Sequence, residues 1–172
     1  GILPKDRVEI KTKKENVDYR KLIVAGSCFA EGEEVIDYGF VERWILGLEE
    51  KYGVEVMQVG YDRYNAISTV QKLEANSMEC VEVKQHSSVL HPPTKLLREA
   101  ILKKEFAYDE NRLLEINFQN ARCTEDTNLN KYVNKKRSAG KVDMVVSPII
   151  AVYLMQQAML DNSELDWGIQ VI

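Results

Sequence analysis

Cysteine, histidine and proline are scarce in this chain, and no charge dominates it: among 172 residues there are three Cys, two His, four Pro and a net charge of −4. Cys28, Cys80 and Cys123 are odd in number and widely spaced, which argues against a disulfide framework and for a reducing compartment. His86 and His91 flank a loop before Pro92, and with Cys80 they match no familiar zinc-ligand spacing. The simpler reading is two loop histidines without a metal. No apolar run approaches membrane-spanning length, and Gly1-Ile2-Leu3-Pro4-Lys5 does not read as a signal peptide. Neither a Gly-x-x-x-x-Gly-Lys-Ser/Thr phosphate loop nor a Gly-x-Ser-x-Gly elbow is present, which ranks a nucleotide-binding α/β domain last and leaves serine catalysis unsupported. The weak negative charge argues against a basic nucleic-acid coat, but it leaves room for a basic strip beside an acidic, metal-loaded site.

The rest is ordinary for a globular chain: 45% hydrophobic and 29% charged residues, without repeats or low-complexity segments. The length suits a single domain over 1–172, with an edge segment at 1–15 and a tail at 160–172. Val54-Glu55-Val56-Met57-Gln58-Val59-Gly60-Tyr61-Asp62 is rich in β-branched residues, with apolar side chains not confined to alternate positions. This predicts a central strand covered on both faces.

Around it the pattern alternates helix and strand, the rhythm of a parallel or mixed sheet. Val8-Glu9-Ile10 could be a short strand, and Val17 to Ala25 a short helix capped by Asn16. From Asp37 to Tyr52, Val41, Trp44, Ile45, Leu48 and Tyr52 form one apolar helical stripe, stopped by Gly53. A further helix, from Tyr64 to Leu73, would bury Ala66, Ile67, Val70 and Leu73, and Glu79 to Val83 reads as a second strand. Pro92-Pro93 should break the chain before a helix over Thr94–Lys103 with Leu97 and Ile101 inward. Glu105–Asp109 allows a short strand, and Asn111–Asn120 is ambiguous between helix and strand, leaning to a strand-like or mixed segment. The turn-forming Thr124–Asn130 would let Ala121–Cys123 pair with Lys131–Val133 as a hairpin. A last apolar helix runs to about Met159, starting either at Ser147 or near Asp143 with Pro148 in its first turns. Trp44 reads as core and Trp167 as a tail anchor or exposed.

Two acids and a basic loop carry the candidate chemistry. Asp62 ends the predicted central strand, where open α/β sheets place ligands, although an Asp there also serves as a helix cap. Asp143 opens the last helix, where capping or a favourable interaction with the helix dipole is the plainer role. If the two converge, their oxygens suit a hard divalent ion such as Mg²⁺ or Mn²⁺, able to activate water against a phosphodiester. Lys131, Lys135, Lys136, Arg137 and Lys141 stand in a stretch with no acid. It is either a solvated loop or a grip on a DNA backbone.

Several blocks in order resemble the C-terminal nuclease domain of tailed-phage terminase large subunits, from about Leu3 to Ala158. They are Val17-Asp18-Tyr19 with Gly26; Val35-Ile36-Asp37-Tyr38; Tyr61-Asp62-Arg63-Tyr64-Asn65-Ala66; Gln85 and Pro93-Thr94-Lys95; Asn120; and Lys135, Ser138 and Lys141-Val142-Asp143. The resemblance implies an α/β, ribonuclease H-like mixed sheet flanked by helices, truncated at its N-terminal strands. It also implies a metal-dependent endonuclease acting on double-stranded viral DNA, with an in-line attack that releases a 3′ hydroxyl. It assigns the metal and catalysis to Asp62 and Asp143, with two Mg²⁺ or Mn²⁺ ions in the intact domain. It makes Lys95, Lys135 and Lys141 candidates for DNA contact, alongside Lys136 and Arg137. Its first metal-binding Asp would precede Gly1, so a fragment without the ATPase motor is expected, and a non-catalytic DNA-docking or motor-coupling module is the alternative. His86, where the family commonly has Gly, and Ser147-Pro148, in place of an Ala-led run, depart from the pattern. Expected partners are the ATPase domain, the small terminase subunit and the portal, with no membrane, in the cytoplasm of a bacterial host.

Overall fold

The computed structural model describes residues 1–64 and 66–161; Asn65 and the tail from 162, with Trp167, lie outside the described residues. A two-residue strand β1 (Ile2–Leu3) and a 3₁₀ turn (Lys5–Arg7) lead into helix α1 (Val8–Glu15). The strand expected at Val8-Glu9-Ile10 is therefore helical. Asn16, expected to cap the next helix, instead closes α1 in a left-handed conformation, its N–H reaching the Thr12 carbonyl. Asp18 caps α2 (Tyr19–Val24), accepting the Lys21 N–H at 3.2 Å.

After β2 (Phe29–Ala30), the helix expected over Asp37–Tyr52 is divided at Gly47 into α3 (Tyr38–Leu46) and α4 (Leu48–Tyr52). Asp37 caps α3, and Gly53 stops α4 at a φ of 67°. The break at Gly47 interrupts the predicted apolar stripe. Trp44 is 40% exposed rather than core, and the residue that α3 buries is Glu42. Its carboxylate accepts from Lys72 at 2.9 Å and from the Thr69 hydroxyl at 3.2 Å.

The expected central strand shrinks to β3 (Val59–Tyr61). Residues 54–57 are mostly exposed and have no regular structure, because no neighbouring strand meets their backbone until Val59 donates to the Glu79 carbonyl at 2.8 Å. Helix α5 (Ile67–Ala75) buries Val70 and Leu73 as expected but exposes Ile67, and β4 (Cys80–Glu82) pairs with β3. Pro92 and Pro93 do not break the chain: they lie inside α6 (Ser87–Leu102). Two prolines in its second turn forfeit only two helical donors, and the buried Leu90, Pro93 and Leu97 anchor that turn. Leu97 is inward as predicted, whereas Ile101 is exposed.

Residues 105–109 form no strand. The ambiguous segment is helix α7 (Arg112–Asn120), begun by Asn111, whose side-chain oxygen accepts the Leu114 N–H at 3.0 Å. The hairpin is present as β5 (Cys123–Glu125) and β6 (Lys131–Val133), antiparallel with Cys123 opposite Val133. Helix α8 (Asp143–Asp161) starts at Asp143 with Pro148 inside it, the second of the two starts considered. Contrary to the sequence expectation, α8 is long and apolar enough over Asp143–Leu160 to cross a membrane by length and composition. Its buried Val145, Val146, Ile149 and Leu154, and its packing against α6, are those of a helix contributing to a core.

Helices thus carry most of the structure, and among the described residues the strands pair as three separate two-stranded sheets, β1–β2, β3–β4 and β5–β6. The mixed α/β class is as expected, and the sheets among the described residues are small ones rather than the single ribonuclease H-like sheet of the expectation. Two compact units emerge. The first comprises Gly1–Val59, Arg63–Val81 and Asn111–Ile116, with Leu3, Tyr19, Leu22, Cys28, Val70 and Leu73 in its core. The second comprises Gly60–Asp62, Glu82–Glu110 and the described residues from Asn117 on. Its core joins Val83, Leu90 and Leu97 to Val133, Val142 and the buried face of α8.

Candidate active site

Asp62, Asp143 and the basic loop all belong to the second unit. Asp143 is the first residue of α8, and that helix start is fixed from below by Asn117, only 3% exposed, whose side-chain oxygen accepts the Met144 N–H at 3.2 Å. The amide thereby satisfies one of the donors a helix N-terminus leaves open. The Asp143 side chain is 65% exposed and pairs with Lys135 Nζ at 3.6 Å. The acid and the first lysine of the Lys135-Lys136-Arg137 cluster therefore share one patch.

Asparagines shape the loop that brings them together. The Asn134 side-chain oxygen accepts the N–H groups of Lys136 at 3.0 Å and Arg137 at 3.2 Å, turning the chain under both residues. Ser138 donates its hydroxyl to the Asn134 carbonyl at 2.8 Å and accepts the Arg122 N–H at 3.1 Å. Asn120 accepts the Ala139 N–H on its carbonyl and donates its side-chain amide to the Lys141 carbonyl at 3.2 Å. Gly140 lies so close that a Cβ there would come within 2.7 Å of the Asn120 amide nitrogen. Lys136, Arg137 and Lys141 are exposed, whereas Lys131 pairs with Glu125 at 3.0 Å. Lys95 stands on α6 beside Glu99 at 4.0 Å and is not part of this loop.

Asp62 directly follows β3 and is exposed. Its strand touches the helix that begins with Asp143: a Cβ on Gly60 would lie 2.3 Å from Ile150 Cγ2 and 3.0 Å from Leu154 Cδ1. Asp143 precedes Ile150 by seven residues, about 10 Å along the helix axis. The two acids are thus carried by elements in contact, one at the end of a strand and one at a helix start. Among the described residues no group of three or more His, Cys, Asp or Glu forms a metal-ligand cluster. The chemistry of the pair nevertheless fits Mg²⁺ or Mn²⁺, since Mg²⁺ commonly takes one or two carboxylates and fills its other positions with water and substrate phosphate.

The hairpin that precedes the loop is fastened to α6 by Asp126 with Ser87, and by His91, which lies within α6 rather than in the expected loop. Asp126 accepts the Ser87 hydroxyl at 2.6 Å, the Asn130 side-chain amide at 2.9 Å and the N–H groups of Asn128 and Asn130. The Ser87 hydroxyl foremost, then Asn130, hold its carboxyl well below the usual carboxylate range. His91 Nδ1 accepts the Lys131 N–H at 2.7 Å. The Asp-Thr-Asn turn in the sequence marked a turn, but nothing in it marked the distant Ser87.

Because folding depresses the Asp126 pKa, its contribution to stability is full above the ordinary carboxylate range, about pH 4, and is lost on further acidification. Urea midpoints measured at pH 5, 4 and 3 should therefore fall less steeply for Asp126→Asn than for the parent. Equal slopes would remove the carboxylate from that role.

Comparison with known proteins gives the family. The sequence matches the family model described as terminase large subunit, endonuclease domain, over residues 2–159. The fold is similar to that of the large terminase of bacteriophage HK97, with a TM-score of 0.79 at 19% identity, over 89% of this chain. The chain spans 32% of the length of that terminase. No curated protein matches. A chain whose sequence fits that family across nearly its whole length, with Asp143 and its basic loop on one patch, belongs to the terminase large-subunit endonuclease-domain family.

Proposed function

We propose that this domain is the metal-dependent endonuclease of a phage DNA-packaging large terminase, hydrolysing phosphodiesters of double-stranded viral DNA. The observation that carries the proposal is Asp143, presented at a helix start and paired with Lys135 from a basic loop. Asp62 and Asp143 would supply carboxylate oxygens to Mg²⁺ or Mn²⁺, with a third acid coming from outside this chain. When bound, such ions activate water and stabilise the attacking and leaving oxygens of an in-line displacement.

The chain's own part is positioning. Asn117 fixes the helix start, and with it the carboxylate that the ion would share with Lys135. Lys135, beside that carboxylate, would be within reach of a phosphate oxygen of bound DNA. Lys136, Arg137 and Lys141 extend that grip along the backbone, and Lys95 offers a further contact from α6. Because these contacts carry no base code, cleavage has little sequence preference. The ATPase motor, small subunit and portal are the proposed partners, in the bacterial cytoplasm.

A second reading is a module that docks DNA or couples the motor without cutting, since the third acid is assigned outside this chain. Incubating supercoiled plasmid with Mn²⁺ and either the 172-residue chain or an uninterrupted large subunit separates the two. Nicking by the large subunit supports the endonuclease; DNA binding with no nicking by either protein supports the docking module.

A further inference from the structure

The course of α6 brings a second pair of lysines to the end of the unit where Asp143 stands. At its turn, the β5–β6 hairpin holds the start of α6, through Asp126 and the Ser87 hydroxyl at 2.6 Å. The His91–Lys131 bond, one helical turn on, follows the hairpin in the same direction. At its open end the hairpin leads instead to the start of α8: Ser138 bonds Asn134 and Arg122, Asn120 bonds Lys141, and Asn117 bonds the Met144 N–H. The two helices therefore begin at opposite ends of one hairpin. They also line one cavity together, with Ser88, Val89 and Pro92 from the beginning of α6 and Tyr153, Gln156 and Leu160 from the end of α8. Helices α6 and α8 thus run antiparallel. From that cavity α6 advances about 18 Å to Lys103, and α8 runs back about 20 Å to Asp143, at 1.5 Å per residue. Lys103 and Lys104 accordingly come to the level of Asp143, whereas Lys95 falls well short of it.

The way α6 ends sets these lysines apart. The Lys104 N–H reaches the Ile101 carbonyl at 3.1 Å, and the Glu105 N–H reaches that of Ala100 at 2.8 Å. This is the left-handed closure a helix ordinarily makes with glycine, yet Lys104 takes it, at a φ of 62°. A residue with a β carbon is less favourable there than glycine, and such positions concentrate at functional sites. The negative end of the helix dipole explains a cation nearby, but not a lysine in the glycine's own place. The exposed run Ile101–Glu105 carries the two lysines against one acid. Among the described residues neither lysine has an ion-pair partner, whereas Lys95 has Glu99 and Lys131 has Glu125. An ammonium on a flexible stem suits a phosphate oxygen and reads no base.

We propose that Lys103 and Lys104 contact backbone phosphates of DNA held at the Asp143 patch, adding a second element to the grip of the basic loop. The inference rests on the reading of that patch as a DNA site. The test is binding of a short fluorescein-labelled DNA duplex to the 172-residue chain in EDTA, by anisotropy, between about 50 and about 200 mM salt. Each phosphate contact contributes a slope of about 0.9 in log K against log salt, so Lys103→Gln/Lys104→Gln should lose about 1.8. Across that range the parent's affinity should then fall about ten-fold further than the variant's. Lys104→Gly should lose about 0.9 of slope while melting no lower than the parent, because glycine suits the left-handed turn. A lysine that only closed the helix would leave the slope untouched. Lys13→Gln/Lys14→Gln makes the same charge change at exposed residues of α1, in the other unit, and should keep the parental slope. An unaltered slope in the α6 variants, an equal loss in the α1 variant, or no DNA binding by the parent chain would overturn the proposal. Nicking is not the readout: a large subunit that fails to nick, with the slope lost as expected, would support this contact and overturn only the endonuclease reading.

Discussion

Asp143→Asn in the large subunit should lower Mn²⁺-dependent nicking of supercoiled plasmid by about a hundred-fold or more. A carboxylate that helps hold a catalytic ion contributes several kcal/mol of transition-state stabilisation, and each 1.36 kcal/mol is a factor of ten. The change is conservative in shape, and the side chain is 65% exposed, so little stability should be lost. The helix start depends on Asn117, not on the Asp143 side chain, for its capping bond to the Met144 N–H. Removing Lys135 instead deletes a positive neighbour while leaving the ligand, and should cost nearer ten-fold. Loss of nicking without loss of thermal stability would locate the chemistry at Asp143. A variant as active as the parent would exclude this carboxylate from the reaction and favour the docking module.

Gly60→Ala carries the second large effect, this time on stability. Its Cβ would sit 2.3 Å from Ile150 Cγ2 and 3.0 Å from Leu154 Cδ1, well inside van der Waals contact. Relief requires the Ile150 and Leu154 side chains to leave their rotamers, or α8 or the strand to shift, and overpacking of this kind costs about 1–3 kcal/mol. Because Asp62 follows the same strand, that displacement should also reach the candidate site and reduce nicking. Trimming the obstacle with Ile150→Ala in the same chain should restore part of the stability, giving a clear non-additive cycle in urea denaturation. If Gly60→Ala is as stable as the parent, the strand does not rest on α8 as closely as described.

The sequence was most legible where local chemistry decides the outcome. The β5–β6 hairpin followed from the turn residues between its strands, and Gly53 and Asp37 bounded the helical stretch between them. Where neighbours decide, it was not legible. Val54–Met57 has the composition of a buried strand, but without a partner strand most of it lies exposed. Pro92-Pro93 reads as a break, and only the packing of Leu90, Pro93 and Leu97 keeps α6 continuous through it. Gly47 looked like one glycine in a helix and turned out to divide it. At the site, Asp143 stood out as the acid opening the last helix and Lys135 as part of an acid-free basic stretch, the family resemblance gave them roles, and their 3.6 Å approach is a fact of the fold. Asn117 escaped notice because its segment looked strand-like, which hides a residue whose use is to cap the next helix.

The patch around Asp143 is shaped by neutral amides, those of Asn117, Asn120 and Asn134, whereas its hold on DNA would come from Lys135, Lys136, Arg137 and Lys141. Raising the ionic strength weakens the second kind of contact and hardly touches the first. Concentrated salt should therefore strip nucleic acid from the domain while leaving the architecture of the patch standing, ready to bind again once the electrolyte is diluted.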